Sequence, residues 1–237
     1  MGRKIDMDTN LKVIYEDNHL LVVEKIPNIL SQSDNTKDVD MLSMCKEYVK
    51  IKYNKPGAVF MGLVHRLDRP VGGVMVFART SKAASRLSDQ VRTRTMKKSY
   101  QAIVNGNPPK AGDFVDYLYK DTNKNMVRCV DKSFNGGKEA RLSYRLLDSS
   151  ISPEDKKDYS LVEIDLHTGR PHQIRVQFAS RKYALYGDQR YSKVAKKGQQ
   201  IALWATRLEL VHPTTKETMV FRSKPPKEYP WTMFYYI

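Results

Sequence analysis

The sequence predicts an α+β fold whose sheet is mixed and largely antiparallel. Segments with strand-like patterns outnumber segments with helical spacing, and turn residues separate several of the strands closely enough for hairpins. Residues 11–15 and 20–25 open the chain as two strands around a Glu-Asp-Asn turn, and together they predict a hairpin. Further strands are predicted over residues 74–78, 99–104, 140–147, 159–166, 201–204, 207–211 and 218–222.

Three segments carry apolar residues at helical spacing, namely residues 41–53, 82–94 and 172–180. Thr80 precedes the second and is a residue type that caps helix N-termini. Pro171 precedes the third and is favoured in the first turn of a helix. Polar loops are expected over residues 31–40 and 149–158.

The length and composition favour one globular domain. The chain has 237 residues, of which 41% are hydrophobic and 28% are charged. With no internal repeat and no clear linker, we expect a single domain over residues 1–237, with its core at about residues 11–222. No apolar segment approaches the roughly 20 residues that span a bilayer, and the N-terminal residues lack the apolar core of a signal peptide. A cytoplasmic location without membrane attachment is expected.

The chain is strongly basic, with 41 Lys and Arg against 26 Asp and Glu and a net charge of +15. Such a charge favours a polyanionic partner, most often nucleic acid, because neutralised phosphates release counterions. Residues 110–138 mix basic and aromatic side chains. They could contact phosphates and stack bases, or they could form an edge hairpin with solvated lysines.

The sequence predicts no metal site. Cys45 and Cys129 are far apart, and the five histidines are scattered without an acid or cysteine cluster to complete a set of ligands.

The leading catalytic candidate is Asp68. It lies between Arg66 and Arg69, and Pro70 and two glycines follow before the apolar segment 74–78. A lone carboxylate held by a tight turn at the start of a buried strand is a plausible reactive group.

Four motifs occur in order along the chain: His-Arg-Leu-Asp-Arg at 65–69, Lys-Ser-Tyr-Gln-Ala at 98–102, Gly-Arg-Pro-His-Gln-Ile-Arg at 169–175 and Gly-Asp-Gln-Arg-Tyr at 187–191. With these motifs the chain resembles the RluA family of pseudouridine synthases. The resemblance implies the catalytic fold of that family and the isomerisation of specific uridines in structured ribosomal or transfer RNA. It implies RNA as partner, no cofactor and no metal, and we expect a monomer. The S4-type RNA-binding module that precedes the catalytic domain in many members is expected to be absent.

The resemblance also implies roles for individual residues. Asp68, Tyr100 and Arg175 would be catalytic: Asp68 acts on the ribose, Arg175 pairs with it, and Tyr100 stacks on the target base. Attack on C1′ by Asp68 and removal of the C2′ proton both remain open. The expected substrate contacts are Arg66 for the flipped-out base, His65 as support for the turn, Ile174 in the base pocket, and Lys98, Arg69 and Arg170 at phosphates. From the residues alone, Arg66 could instead contact a phosphate or form a salt bridge, and Ile174 could instead belong to the core.

The chain departs from the family at three places. Val71-Gly72-Gly73 replaces the usual Thr-Ser-Gly after the acid, which removes a hydroxyl group near it. Lys25-Ile26-Pro27-Asn28 replaces Lys-Pro-x-Gly, and Gln177 replaces the histidine that usually ends the arginine motif. These changes bear on geometry or target more than on the chemistry.

Two other functions compete with an RNA isomerase. A non-catalytic RNA-binding or RNA-assembly protein on the same fold would have the same charge, but it would not need the acid, the tyrosine and the arginine together. A nucleoside hydrolase would normally need a second carboxylate for general acid catalysis, and none accompanies Asp68 in its motif.

Overall fold

The computed structural model describes residues 11–34, 36 and 38–235. The chain divides into two compact units, Met1–Met96 with Arg207–Ser223, and Lys97–Thr206 with Lys224–Ile237. The first ten residues, to which the expectation about a signal peptide refers, lie outside the described part. The prediction of a single catalytic domain stays a prediction.

The first unit is built on strand β4, which is buried along its whole length. Strand β2 pairs with β4 antiparallel from Leu20↔Ala78 to Lys25↔Gly73, β1 pairs with β2, and the short β3 pairs with β4. Because every residue of β4 is buried and its side chains are apolar, the segment after the acid forms part of the core. The strands are β1 (Lys12–Glu16), β2 (Leu20–Lys25), β3 (Gly62–Leu63) and β4 (Gly72–Ala78).

Two helices of the first unit have side-chain caps at their N-termini. Helix α1 (Met41–Lys52) follows Asp40, whose Oδ1 accepts a hydrogen bond from the Ser43 amide at 3.1 Å. Helix α2 (Ser81–Arg92) follows Thr80, whose Oγ1 accepts one from the Ala83 amide at 3.1 Å. Both caps satisfy backbone donors that have no partner within the helix.

The second unit is an antiparallel ladder in the order β5-β9-β8-β6-β7. Helix α3 (Gln173–Ser180) lies against one face of it, where Val176 packs with the buried Leu118, Val127 and Ala140. The strands are β5 (Lys97–Asn105), β6 (Ala111–Asp121), β7 (Met126–Val130), β8 (Lys138–Ile151) and β9 (Asp158–Leu166).

Strand β10 (Leu203–Val211) begins in the second unit and ends in the first, where β11 (Thr218–Arg222) pairs with it antiparallel. Two separate strands were predicted for this segment. The structure has one, because neither glycine nor proline interrupts the chain between Leu203 and Val211.

The predicted α+β class, with largely antiparallel strands and three helices, is confirmed. The loop predicted over residues 149–158 was wrong at its start, since β8 continues to Ile151. Ser149 there pairs with Ser160, and the two hydroxyl groups lie 3.0 Å apart, so polar side chains satisfy each other across the ladder. Among the described residues, no helix has the length and apolar character to cross a membrane.

Candidate active site

The acid segment contains a hydrogen-bonded turn, in which the Val71 amide donates to the Asp68 carbonyl oxygen at 3.0 Å. The turn therefore spans residues 68–71, with Pro70 inside it. The sequence had suggested that Gly72 and Gly73 belong to the turn, but both lie in strand β4. Gly73 has a φ of 119°, a backbone conformation that favours glycine. Asp68 is half-buried, and the structure places it at the entry to a buried strand, as predicted.

Ser31 holds the residue before the acid. Its hydroxyl group donates to the Leu67 carbonyl oxygen at 2.7 Å and accepts from the Leu67 amide at 3.1 Å. Both Ser31 and Leu67 are buried. A single side chain thus satisfies the two backbone groups of Leu67, which have no regular strand partner, and fixes the backbone next to Asp68.

Lys25 holds the residues after the acid. It is fully buried at the end of β2, and its ammonium group donates to the carbonyl oxygens of Arg69 at 2.9 Å, Val71 at 2.7 Å and Ile26 at 3.2 Å. Burial lowers the pKa of Lys25 to about 7; the negative charge of Asp68 opposes this shift and the positive charge of Arg69 adds to it. The buried cation is therefore electrostatically coupled to the candidate acid.

His65 joins the acid segment to β4. Its Nε2 accepts a hydrogen bond from the Val76 amide at 3.0 Å, and the side chain is 8% exposed. Because a backbone amide can only donate, Nε2 carries no proton in this arrangement. The contact ties His65 to β4, and its predicted role as support for the turn stays a prediction.

The two arginines that flank the acid are exposed. Arg69 forms an ion pair with Asp38 at 2.8 Å, in which both side chains are 47% exposed, and its Nε donates to the Asn28 carbonyl oxygen at 3.2 Å. Arg66 and Arg69 are thus accessible to an anionic ligand, as their predicted contacts to RNA require.

In the second unit, Tyr100 and Lys98 lie on the same face of β5, two residues apart. Tyr100 is 6% exposed and pairs with Ile164 of β9. Burial lowers the pKa of the Lys98 ammonium group. A Cβ atom added to Gly169 would stand 3.6 Å from the Lys98 Nζ, so this ammonium lies against the start of the 169–175 motif.

Gln173 organises the loop that leads into α3. Its Oε1 accepts hydrogen bonds from the Thr168 hydroxyl at 2.7 Å and the Arg170 amide at 3.0 Å, and its Nε2 donates to the Arg141 carbonyl oxygen at 3.0 Å. His172 precedes the helix with a left-handed φ of 51° and without a side-chain cap. The loop conformation therefore depends on a buried side chain of the helix itself.

Arg170 and Ile174 have clear positions in this loop and helix. The Arg170 Nε donates to the Glu139 carbonyl oxygen at 2.8 Å, which ties the side chain to β8. Ile174 is 5% exposed in the first turn of α3. Their predicted contacts with phosphate and base stay predictions.

Arg175 forms a two-point ion pair with Asp188. Its Nε lies 2.9 Å from Oδ2 and its Nη2 lies 2.7 Å from Oδ1, and the two side chains are 7% and 0% exposed. Asp188 Oδ1 also accepts from the amides of Arg190 and Tyr191 at 3.0 and 3.3 Å. The preceding Gly187 has a φ of 69°, and a Cβ atom there would stand 2.0 Å from the Gln200 carbonyl oxygen, so glycine is required.

Tyr191 completes the surroundings of Arg175. The guanidinium carbon lies 5.3 Å from the centre of the Tyr191 ring, and the Tyr191 hydroxyl lies 2.7 Å from His172 Nδ1 and accepts from the Val127 amide at 2.9 Å. The 187–191 motif thus acts as a frame for the arginine of the 169–175 motif. The structure brings these two motifs together, a contact that the motif order alone did not reveal.

The nine predicted site residues fall into two groups, one in each unit. Sequence reasoning overlooked Ser31, Gln173 and Asp188 as positioning residues, and treated Lys25 only as part of a changed motif. Within the described ranges, no group of three or more His, Cys, Asp or Glu side chains could hold a metal ion. The first unit carries His65, Arg66, Asp68 and Arg69, and the second carries Lys98, Tyr100, Arg170, Ile174 and Arg175.

Comparison with solved structures places the fold. The human RNA pseudouridylate synthase domain containing 4 is 21% identical and superimposes with a TM-score of 0.74, covering 91% of this chain and 89% of that one. The human RNA pseudouridylate synthase domain containing 1 is 19% identical with a TM-score of 0.72, covering 95% of this chain and 86% of that one. At these identities the likeness concerns the fold alone.

Comparison with known sequences places the family. The family described as RNA pseudouridylate synthase matches residues 19–180. An uncharacterized RNA pseudouridine synthase, YhcT of Bacillus subtilis, is 32% identical over 220 residues, which cover 92% of this chain and 70% of the relative. The ribosomal large subunit pseudouridine synthase D of Zymomonas mobilis is 31% identical over 235 residues, which cover 93% of this chain and 71% of the relative.

The matched region contains the acid segment, the tyrosine strand and the whole of α3, so the sequence match and the structural likeness concern the same part of the chain. The resemblance inferred from the four motifs is confirmed. The chain therefore belongs to the RNA pseudouridylate synthase family and is an RNA pseudouridine synthase.

Proposed function

We propose that this enzyme isomerises specific uridines in structured ribosomal or transfer RNA, with Asp68 as the residue that acts on the ribose and with the target base flipped out of its stack. The observation that carries the proposal is the clamp on the acid segment: Ser31, Lys25 and His65 fix the backbone on both sides of Asp68. Three buried polar groups devoted to one short segment indicate that the position of its carboxylate matters.

The reaction breaks the bond between ribose C1′ and N1 of the uracil, turns the base, and forms a bond between C1′ and C5. The proton on C5 leaves and N1 gains one, so atoms and electrons balance without a redox partner. Asp68 either attacks C1′ or removes the C2′ proton. An ionised carboxylate serves in both routes, and a neighbouring cation helps to keep it ionised when it is partly buried.

Arg175 and Tyr100 are proposed to complete the catalytic set. A guanidinium group holds a carboxylate in fixed geometry and stays charged when buried, which suits Arg175 to pair with Asp68. The pair with Asp188 engages Nε and Nη2 of Arg175 and sets the plane of the group. Tyr100, held in a strand and almost fully buried, offers a ring on which the uracil stacks, with Ile174 as an apolar wall of the base pocket.

RNA binding is assigned to cations on both units. Lys98 has a pKa lowered by burial, so an RNA phosphate would supply a counter-charge to its ammonium group. Arg66 and Arg69 are exposed beside the acid and Arg170 lies at the loop before α3, as contacts to the flipped nucleotide and its neighbours require. Flipping the base out costs a few kcal/mol, which these contacts offset.

Large-subunit ribosomal RNA is the favoured substrate class, since several similar proteins carry that substrate in their names. Transfer RNA is the second substrate class that the proposal includes. The predictions of a monomer and of a cytoplasmic location stay predictions.

The test compares wild type with Asp68→Asn on total RNA from a strain that lacks the gene, and maps new pseudouridines at single-nucleotide resolution. Wild type is expected to restore discrete sites, and Asp68→Asn to restore none, because the amide cannot act as nucleophile or base. Asp89→Asn, at an exposed carboxylate of α2, serves as the matched control and should behave as wild type. Equal modification by Asp68→Asn would overturn the assignment of the acid, and the absence of any site with wild type would overturn the proposed function.

A further inference from the structure

Arg128 of β7 lies beside two aromatic rings that contact each other, those of Tyr119 in β6 and Phe134 in the β7–β8 turn. We call residues 119–138, which include the β6–β7 hairpin loop and the β7–β8 turn, the hairpin tip. The guanidinium carbon of Arg128 lies 5.6 Å from the centre of the Tyr119 ring and 4.9 Å from that of the Phe134 ring. The two rings are 5.0 Å apart with an angle of 66° between their planes. Tyr119 and Arg128 are directly opposite each other in the ladder, so they share one face of it.

This face is the one turned away from α3. Leu118 and Val127, the alternating neighbours of Tyr119 and Arg128, are buried against Val176 of α3. Because side chains alternate along a strand, Tyr119 and Arg128 point to the other side. Arg128 is exposed and Phe134 is 38% exposed, so part of this cluster is open to a ligand.

The turn between β7 and β8 fixes Phe134 in place. The Phe134 amide donates to the Asp131 carbonyl oxygen at 3.0 Å, and the Gly137 amide donates to the Phe134 carbonyl oxygen at 2.9 Å. Gly136 has a φ of 84°, and a Cβ atom there would stand 3.4 Å from the Tyr119 ring. The aromatic pair is therefore pre-organised, and a ligand would not have to order it on binding.

The hairpin tip is positively charged. Its two aspartates are engaged in local turns: Asp121 accepts from the Lys124 amide at 3.1 Å, and Asp131 from the Ser133 amide at 2.9 Å. Within the part of the chain that the structure describes, no carboxylate forms an ion pair with Arg128. The five cations of the segment are Lys120, Lys124, Arg128, Lys132 and Lys138.

We propose that the hairpin tip binds an unpaired stretch of the RNA substrate, with a base stacked on Phe134 and Arg128 and the flanking phosphates on the lysines. The inference rests on the proposed function only in that the RNA is taken to be the substrate of the enzyme. Aromatic faces and guanidinium planes stack unpaired bases irrespective of sequence, and lysines follow the backbone. An acidic protein segment would use the lysines but would gain little from the aromatic pair.

The test measures the binding of a labelled single-stranded oligoadenylate of about 12 nucleotides, which is within the range that such surfaces cover. It contains no uridine, so its binding does not report on the pocket for the target base. Phe134→Ala is expected to weaken binding about ten-fold by removing the stacking face, and Phe134→Tyr to restore it. Arg128→Gln is expected to weaken binding by removing the guanidinium plane on which the base stacks. Lys132→Gln is expected to reduce the slope of the logarithm of the binding constant against that of salt concentration by about 0.7, because it removes a phosphate contact.

Matched controls lie on the first unit. Phe60→Ala removes a phenylalanine that is 50% exposed, and Lys50→Gln removes an exposed cation of α1. Both should bind the oligoadenylate as wild type does. Thermal melting of each variant shows whether a loss of binding comes from unfolding.

The proposal is overturned if Phe134→Ala and Arg128→Gln bind as tightly as wild type, or if polyglutamate of similar length is bound with the same dependence on Phe134. Its failure is distinct from failure of the proposed function. If wild type forms pseudouridine but the hairpin-tip variants bind the oligoadenylate as wild type does, only this inference is overturned. Wild type that forms none, while Phe134→Ala loses oligoadenylate binding, would overturn only the proposed function.

Discussion

The two principal charged candidates, Asp68 and Arg175, are positioned by different means. Ser31, Lys25 and His65 hold the acid segment through backbone atoms of Leu67, Arg69, Val71 and Val76. Arg175 is held through its own guanidinium group, which donates two hydrogen bonds to the Asp188 carboxylate. In the acid segment the protein fixes the chain, and in α3 it fixes the functional side chain.

The difference has a physical reason. A short aspartate side chain has few rotatable bonds, so fixing the backbone already narrows the positions that its carboxylate can take. A long arginine side chain retains rotamer freedom even on a rigid helix, so a partner must hold its end. Mutations of the residues that hold the acid segment and of the residue that holds Arg175 should therefore change stability and turnover to different extents.

The largest effect is expected for Asp188→Asn. The amide keeps an oxygen for the backbone amides but loses the charge that balances a guanidinium only 7% exposed. Removing one partner of a buried pair costs about 3–5 kcal/mol, and the Arg175 plane should also lose its orientation. Urea unfolding measures the loss of stability, and the turnover number on unmodified substrate RNA measures the loss of activity.

Asp116→Asn is the matched control, because the Arg181–Asp116 pair is also two-pointed but is 31% and 18% exposed. Asp116→Asn should lower the free energy of unfolding clearly less than Asp188→Asn does. Equal costs for the two variants would contradict the view that Asp188 balances a buried charge.

Next in size is the effect of Lys25→Met on the pH dependence of stability. The pKa of Lys25 is lowered by burial to about 7 in the folded protein, below its ordinary value, so between these two values the unfolded chain binds more protons. The free energy of unfolding of wild type should therefore rise with pH above about 7, by at most about 1.4 kcal/mol per pH unit from this group.

Lys25→Met should lack this contribution between pH 7 and 9.5, and urea unfolding at a series of pH values measures the difference. Working with the difference between the two proteins cancels groups that titrate in both, including the N-terminal amine. Parallel profiles for wild type and variant would show that Lys25 does not titrate in this range.

A smaller loss is expected for Ser31→Ala. The change leaves the amide and the carbonyl of Leu67 without their buried partner, at a cost of about 1–3 kcal/mol. Because the acid segment loosens, the turnover number should fall more than the affinity for RNA. Ser143→Ala, which removes a hydroxyl bonded to the exposed His167, is the control. If the two serine variants unfold at the same urea concentration, the Ser31 clamp contributes nothing to stability.

The smallest effect is expected for Asp38→Asn, which breaks an ion pair with Arg69 in which both groups are 47% exposed. Exposed pairs contribute at most about 1 kcal/mol, and solvent weakens this one further. Unfolding and turnover should both stay close to wild type. A marked loss of turnover would instead make Asp38 a positioning residue for the RNA contact at Arg69.

Much of the fold follows from local patterns. The first hairpin, α1, α2 and the buried strand after the acid were all predictable, because apolar spacing, turn residues and caps act within a few residues of each other. Where the fold departs from these local patterns, the cause is pairing with a distant strand. Gly72 and Gly73 signal a turn in the sequence, but both lie in β4, and β2 pairs with Gly73.

The positioning residues of the site could not be predicted in the same way. Ser31 and Lys25 contact groups 36 to 46 residues away, and a serine in a polar loop has no pattern that marks it as buried. Lys25 ends an apolar strand, which was the one available signal, but a lysine at a strand end is usually exposed.

The sequence by itself determined the fold class, the family and the identity of the reactive candidates, because these depend on residue types and on their order along the chain. Tertiary structure decided how the candidates are held: Lys25 and Ser31 on the acid segment, and Asp188 on Arg175. It also decided that Arg128, Tyr119 and Phe134 form one surface. The reason is that buried charges and unpaired backbone groups are satisfied by whatever long-range packing brings near, and local sequence does not encode that proximity.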